Sequence, residues 1–507
     1  MLFNSILYFI FFTVVYILYW FLSPKLQKFV LLVSSIIFYA TWGLTEEGIV
    51  GIRWTLHFLS IIIISHVFNI LMFRFPHKKK IFLWIHILIL LTNLSLFKYA
   101  NFFIQFFDDI GISKEIFPKS TSIFLPLAIS FYTFQIMAYS IDIYRGIITD
   151  KRSFVDYSLF IFFFPQLIAG PIMRYSDFFH QSPHLTIQNV YTGLWLIIGG
   201  LIKKVLIADP MSGLIAPVFR LPETYEFHQI LLAGAGFSIQ VYCDFSGYTD
   251  IARGSALLLG YNIPENFRAP FFSRSAREMW QRWHITLATW LRDYIYIPLG
   301  GSKISEFRTY INQIITFALG GFWHGADYTY IAWGTMWGVL LAIERFFENI
   351  LKIKTVPERN IILIILKILF IFYLFTLGAL MFRSNKVIFP DKEYRSVEIM
   401  GQLLKGSFVN SSSKIKNEFL TNNGDVDFIY DVMGKNFFSM NQIPYLDTFL
   451  GLVLLTMLFH WIQYKPKHFQ RLRKYDFYLL LFIGGITLGI LLPGLAQSGF
   501  QFIYFVF

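Results

Sequence analysis

The chain has 507 residues, of which 56% are apolar, 20% aromatic and only 15% charged. A soluble domain carries roughly a quarter charged residues, so this composition excludes a cytosolic globule and a disordered chain, and the lone Cys243 excludes a disulfide scaffold. The formal charge of +12 is split into short clusters between apolar runs rather than gathered on one basic face, which excludes a nucleic-acid partner and fits the loops of a multi-pass membrane protein.

Crossing a bilayer takes about 20 apolar residues. Candidate spans are predicted at 3–22, 29–43, 52–73, 81–98, 121–143, 155–173, 190–207, 229–260, 309–324, 325–345, 361–382, 446–464 and 477–493. The first lacks a basic leader and a small-residue cleavage site, so a retained helix is expected rather than a signal peptide. Cationic clusters mark cytoplasmic ends. Lys25 and Lys28 inside place Glu46 and Glu47 outside, Lys78–Lys80 inside, Asp108 and Asp109 outside, and Lys151 and Arg152 inside. Pro165, Pro171 and Pro183 then interrupt the order between 155 and 228. Read from the other end, Lys352, Lys354 and Arg359 put the start of 361–382 inside. The polar loop 384–445 falls outside, the basic run Lys465–Lys474 inside, and Gln497–Phe507 near the external face.

Three segments break the apolar pattern. The run 229–260 contains Asp244 and Asp250, buried carboxylates that need partners. Arg253 and the arginines of 268–292 are the candidates, and the acids read as packing or positioning groups. The stretch 262–308 interleaves Arg268, Arg274, Arg277, Arg282, His284, Arg292, Asp293 and Lys303 with Trp280, Trp283, Trp290, Tyr294 and Tyr296. That mixture suits a helix lying at a membrane surface. From Arg308 to Arg345 both ends are basic, and the middle reads Gly320-Gly321-Phe322-Trp323-His324-Gly325-Ala326-Asp327, which predicts a broken or hairpinned helix. A helix from Arg308 would carry His324 about 24 Å from the cytoplasmic end. An ionisable group at such depth is a functional candidate, with a neutral, hydrogen-bonded core histidine as the alternative.

Phe164-Pro165-Gln166-Leu167-Ile168-Ala169-Gly170-Pro171-Ile172, Asp244-Phe245-Ser246-Gly247-Tyr248, Arg282-Trp283-His284, Trp290-Leu291-Arg292-Asp293-Tyr294 and Trp323-His324-Gly325 occur in that order. Together they resemble the membrane-bound O-acyltransferases. The bacterial branch with the membrane subunits of alginate and peptidoglycan O-acetylation is most similar, and the teichoic acid D-alanyl transferases are related. The likeness implies an all-α integral membrane protein, a ring of helices around a central tunnel, with interfacial and re-entrant helices. It divides the chain into N-terminal membrane helices (1–119), a catalytic core (120–345), a further membrane helix (346–383), the external loop (384–445) and C-terminal helices with a tail (446–507).

The resemblance further implies that His324 is the catalytic base and His284 the second active-site histidine. By charge, Arg274, Arg277, Arg282 and Lys303 are candidates to meet the donor's phosphates, with anchoring at lipid headgroups as the alternative for each; Trp283 is expected beside the donor, and Asp244, Ser246, Tyr248, Trp323 and Asp293 as positioning groups. The tail Phe502-Ile503-Tyr504-Phe505-Val506-Phe507 resembles relatives' tails and suggests Tyr504 as an acyl relay, against a packing role. The implied donor is acetyl-CoA, with no permanently bound cofactor and no metal. The implied partners are membrane lipid, an SGNH-type periplasmic acetyltransferase and a polysaccharide acceptor at a bacterial inner membrane. A D-alanyl or other acyl donor on a carrier protein, a lipid acyltransferase and a transporter are the competing readings; a transporter leaves the two histidines unexplained.

Overall fold

The computed structural model describes residues 3–41, 50–111, 125–167, 170–220, 225–351, 360–384 and 446–464, together with Pro222, Ile399, Gly484 and Gly485. Every regular element among them is helical. They fall into two compact bodies: described residues up to Gly200 with Tyr248–Glu265, Gly484 and Gly485 form the first, and Leu201–Gly247 with the described residues from Asn266 to Tyr464 form the second.

The first body contains α1 (Ile6–Phe21), α2 (Pro24–Ala40), α3 (Val50–Arg74), α4 (Lys79–Leu94), α5 (Ala100–Asp109), α6 (Ile129–Tyr144), α7 (Phe154–Phe162), α8 (Tyr175–Phe179) and most of α9 (Ile187–Leu201). The Ser5 hydroxyl accepts from Tyr8 N at the start of α1, and α2 opens on Pro24, where a missing N–H costs nothing. In α1, Tyr8, Phe12, Val15 and Tyr19 face inward at helical spacing, while Leu7, Ile10 and Val14 are more than half exposed. Such bare apolar faces are at home against hydrocarbon and costly in water. Segment 155–173 is not one helix: α7 stops at Phe162, ahead of Pro165 and Pro171. Helix α6 starts at Ile129, after Ala128 turns the chain in a left-handed conformation. By length and composition, Gly51–Arg74, Pro76–Asp109, Ile187–Arg220 and Ile361–Arg383 can cross a membrane.

The second body holds α10 (Asp209–Arg220), the first two-thirds of α11 (Phe227–Leu258), α12 (Ala276–Arg282), α13 (Ile285–Leu291), α14 (Glu306–His324), α15 (Tyr328–Leu351), α16 (Ile361–Arg383) and α17 (Leu446–Tyr464). The expected break at 320–327 is a hairpin. Helix α14 ends at His324, Gly325 is extended, and Asp327 Oδ1 accepts from Thr329 N and Oγ1 to start α15. The two helices run antiparallel at close range because Gly321 lies against the Tyr330 carbonyl, Gly334 against that of Phe317, and Gly338 against Ile314. Gly334 and Gly338 are spaced as small residues are where membrane helices touch backbone to backbone. At the open end Arg345 Nε donates to Glu306 Oε2 at 2.8 Å, so both basic ends do share one end of the hairpin. Helix α16 runs back along α15, with Phe382 against Tyr330 and Trp333, and Gly378 against Trp333 and Met336.

Candidate active site

His324 and His284 are 40 positions apart in the chain and come together in the second body, ring centroids 6.4 Å apart and both rings buried. The hairpin turn holds His324, walled by Trp323 at 4.9 Å, Trp333 at 5.3 Å and Phe382 at 5.3 Å. His284 meets Phe245 of α11 at 4.7 Å, Trp323 at 6.1 Å and Phe267 at 6.4 Å. A polar pair walled by aromatic rings lies in surroundings of low polarity, so charge and proton transfers there are felt strongly.

The backbone at His284 is strained. It sits between α12 and α13 at φ 42°, ψ 52°, a left-handed conformation uncommon for a side chain with a Cβ. Asn266 holds it there. Its carbonyl accepts from Ile285 N at 3.0 Å, and its Oδ1 accepts from Thr286 N at 3.2 Å and Thr286 Oγ1 at 2.8 Å. His284 Nδ1 lies 3.2 Å from that same Oδ1. Because a backbone amide can only donate, the atom facing Thr286 N must be the amide oxygen, which settles the Asn266 rotamer. His284 Nδ1 therefore carries the hydrogen. Nε2 is left with its lone pair and has no partner among the described residues. Buried among aromatic rings, with Nδ1 on an amide oxygen, this imidazole is favoured in its neutral form.

A second polar knot stands behind Phe245. A π-helical segment, Ile202–Ala208, presents two consecutive buried lysines to α11. Lys204 Nζ lies 2.7 Å from both Asp209 Oδ1 and Asp244 Oδ1, and Lys203 Nζ donates to Ser246 Oγ at 3.1 Å. Asp244 is thus partnered by Lys204, which was not among the expected cations, while Arg253 pairs with Asp250 at 3.8 Å, in the first body. Tyr248 also lies in the first body, stacked on Phe3 at 4.3 Å.

The remaining candidates divide. Arg274 and Arg282 both bind Glu278, at 3.1 and 2.8 Å, and Arg277 binds Glu348 at 2.7 Å. Burial alone would raise the Glu278 carboxyl, but the hydrogen bonds from Arg274 and the charge of Arg282 hold it below its ordinary value. Lys303 is exposed. Trp283 is an interior wall, 4.7 Å from Phe375 and 5.1 Å from Phe267. Asp293 pairs with its neighbour Arg292 at 2.6 Å. Tyr504 and the loop from 385 onward lie outside the described residues, Ile399 apart. Sequence reasoning missed Lys203, Lys204 and Asn266. The two lysines could have been found, since cations inside the apolar run 190–207 are costly; Asn266 gave no signal.

The profile of the membrane-bound O-acyltransferase family matches residues 8–383. The probable alginate O-acetylase of Pseudomonas aeruginosa is 35% identical over 406 residues, 78% of this chain and 75% of that protein. The peptidoglycan O-acetyltransferase of Helicobacter pylori is 34% identical over 362 residues, 64% of this chain and 66% of that protein. More distant is the teichoic acid D-alanyltransferase of Bacillus subtilis, 30% identical over 237 residues, 44% of this chain and 60% of that protein. With the family profile spanning most of the chain and the helices apolar enough to cross a bilayer, the protein belongs to the membrane-bound O-acyltransferase family and is a multi-pass membrane acyltransferase.

Proposed function

We propose that this protein takes acetyl groups from cytoplasmic acetyl-CoA and supplies them, across a bacterial inner membrane, for O-acetylation of an extracytoplasmic polysaccharide, handing them to a periplasmic SGNH-type transferase. The observation that carries the reading is the pair of buried imidazoles 6.4 Å apart in an aromatic shell. Attack of a hydroxyl on a thioester needs a base as the O–C bond forms, and a neutral imidazole suits that at physiological pH. The thiolate departs with little acid help. His324 is the base in this reading, and His284 orients it or moves its proton.

Passing only the acetyl group spares the membrane from moving a charged coenzyme one way or a polymer the other. The names of the Pseudomonas and Helicobacter relatives motivate the acceptor class. Tyr504 would receive the acetyl group as a phenol ester, a reactive donor suited to a relay. Acetylated Tyr504 in the C-terminal peptide after turnover with acetyl-CoA supports the relay; an unmodified tyrosine under turnover removes it.

His324→Ala tests the reading. The variant should insert and purify normally and lose acetyl transfer from acetyl-CoA by at least about 100-fold; near-normal transfer refutes the assignment. The Bacillus relative favours one alternative, a carrier-borne acyl donor such as D-alanine. It predicts that purified wild-type protein does not turn over with acetyl-CoA alone.

A further inference from the structure

We infer that Asn266 is a positioning residue for the transfer, and that it sets His284 to work as a proton acceptor through Nε2. This rests on the acyl-transfer reading above. The argument begins at one oxygen. Asn266 Oδ1 takes three donors, Thr286 N, Thr286 Oγ1 and His284 Nδ1, so it fixes the turn, the ring and the tautomer together. A tautomer with hydrogen on Nε2 would set the Nδ1 lone pair against the amide oxygen, lone pair to lone pair. The left-handed backbone at His284 persists because Asn266 also receives Ile285 N on its carbonyl.

The nitrogen that this leaves available can accept and cannot initially donate. Among the described residues, the groups against the ring are Phe245 from α11, Asn266 and Phe267 from the preceding loop, and Trp323 and His324 from α14. His324 is the titratable one; Asp244, next to Phe245, is tied to Lys204. In the cycle this gives, the acceptor hydroxyl loses its proton to His324 as its oxygen bonds to the acyl carbon. His284 Nε2 receives that proton from the His324 imidazolium, directly or through one water. As the C–S bond breaks, the sulfur departs as the thiolate and then takes the proton from Nε2, so coenzyme A is released as the thiol. Both imidazoles end neutral, with Nδ1–H of His284 still held by Asn266.

Two near-isosteric variants test this in the purified full-length protein. Asn266→Asp keeps an oxygen for Thr286 but sets a carboxylate against the imidazole, which raises the His284 pKa. The acceptor must be unprotonated to act, so an acidic limb should appear in the kcat–pH profile, or move alkaline by about one unit or more, with activity recovering as pH rises. Asn266→Leu removes the acceptor and should lower kcat roughly 10- to 100-fold with KM for acetyl-CoA unchanged. A role in folding alone would change neither the pH limb nor the specific activity of the folded fraction, and that result overturns the inference. Nitrogen-15 resonances of His284 give a readout independent of turnover: Nε2 should be pyridine-like in the wild type and lose that character in Asn266→Leu. A protonated Nε2 in the wild type overturns the tautomer argument even if acetyl transfer is confirmed, whereas a pyridine-like Nε2 in a protein that ignores acetyl-CoA would fault only the donor.

Discussion

Arg274 and Arg277 keep 39% and 42% of their side chains exposed although each holds a carboxylate, whereas Arg282 is 18% exposed. A guanidinium has five N–H groups, so the first two can serve an anionic donor without abandoning Glu278 or Glu348. Arg282 is more deeply committed, to Glu278 and to the Arg268 carbonyl. Replacing Arg274 and Arg277 together with alanine should raise KM for acetyl-CoA several-fold and leave kcat near its wild-type value. Replacing Arg282 should instead lower the melting temperature. An unchanged KM in the double variant takes both residues out of donor binding. At this scale the sequence was informative at His324 and Asp244, where an ionisable group interrupts an apolar run, although the same signal at Lys203 and Lys204 passed unread. It was silent at Asn266, because one asparagine in a loop carries neither period nor charge, and only the fold reveals that its oxygen serves three donors.

Among the elements, the π-helical segment Ile202–Ala208 does what a regular helix does not. Consecutive residues on an α-helix point about 100° apart, yet Lys203 and Lys204 both reach α11, on either side of Phe245. The knot thereby holds the ring that stands against His284. Its charges are unequal in their dependence on one another. Lys204→Met leaves Asp209 and Asp244 buried without their shared cation and should cost about 3 kcal/mol of stability. Asp244→Asn leaves Lys204 its bond to Asp209 and should cost less. Thermal unfolding in detergent checks the order, and a more damaging Asp244→Asn would mean that Asp209 is not a true partner. Helix positions were legible from hydrophobic period because each helix buries a stripe, but a period cannot announce a π-turn or foretell that α7 stops at Phe162. Lys204 was overlooked as a partner of Asp244 for a related reason: pairing was sought downstream, and this cation lies upstream, in a run read only as apolar.

On the scale of the whole molecule, the route of the acetyl group depends on which membrane face each end of the α14–α15 hairpin meets. The 19 residues of α14 rise about 28 Å, close to the roughly 30 Å of hydrocarbon in a bilayer. Glu306 and Arg345 pair at one end, and His324, Tyr328 and Phe382 gather at the other. If the basic end faces the cytoplasm, the imidazole lies nearly a full membrane thickness from it, and the thioester end of the donor has to reach that far into the protein. Single cysteines read this directly, since Cys243 is buried and can be replaced by serine. In intact cells a membrane-impermeant thiol reagent should modify Tyr328→Cys, an exposed position beside the turn, and spare Ser302→Cys, exposed just before α14; in inverted vesicles the pattern should reverse. Labelling of both positions from one side would mean that the hairpin enters and leaves without approaching the far face, and the acetyl group would then need some carrier other than this hairpin's end to reach an external acceptor.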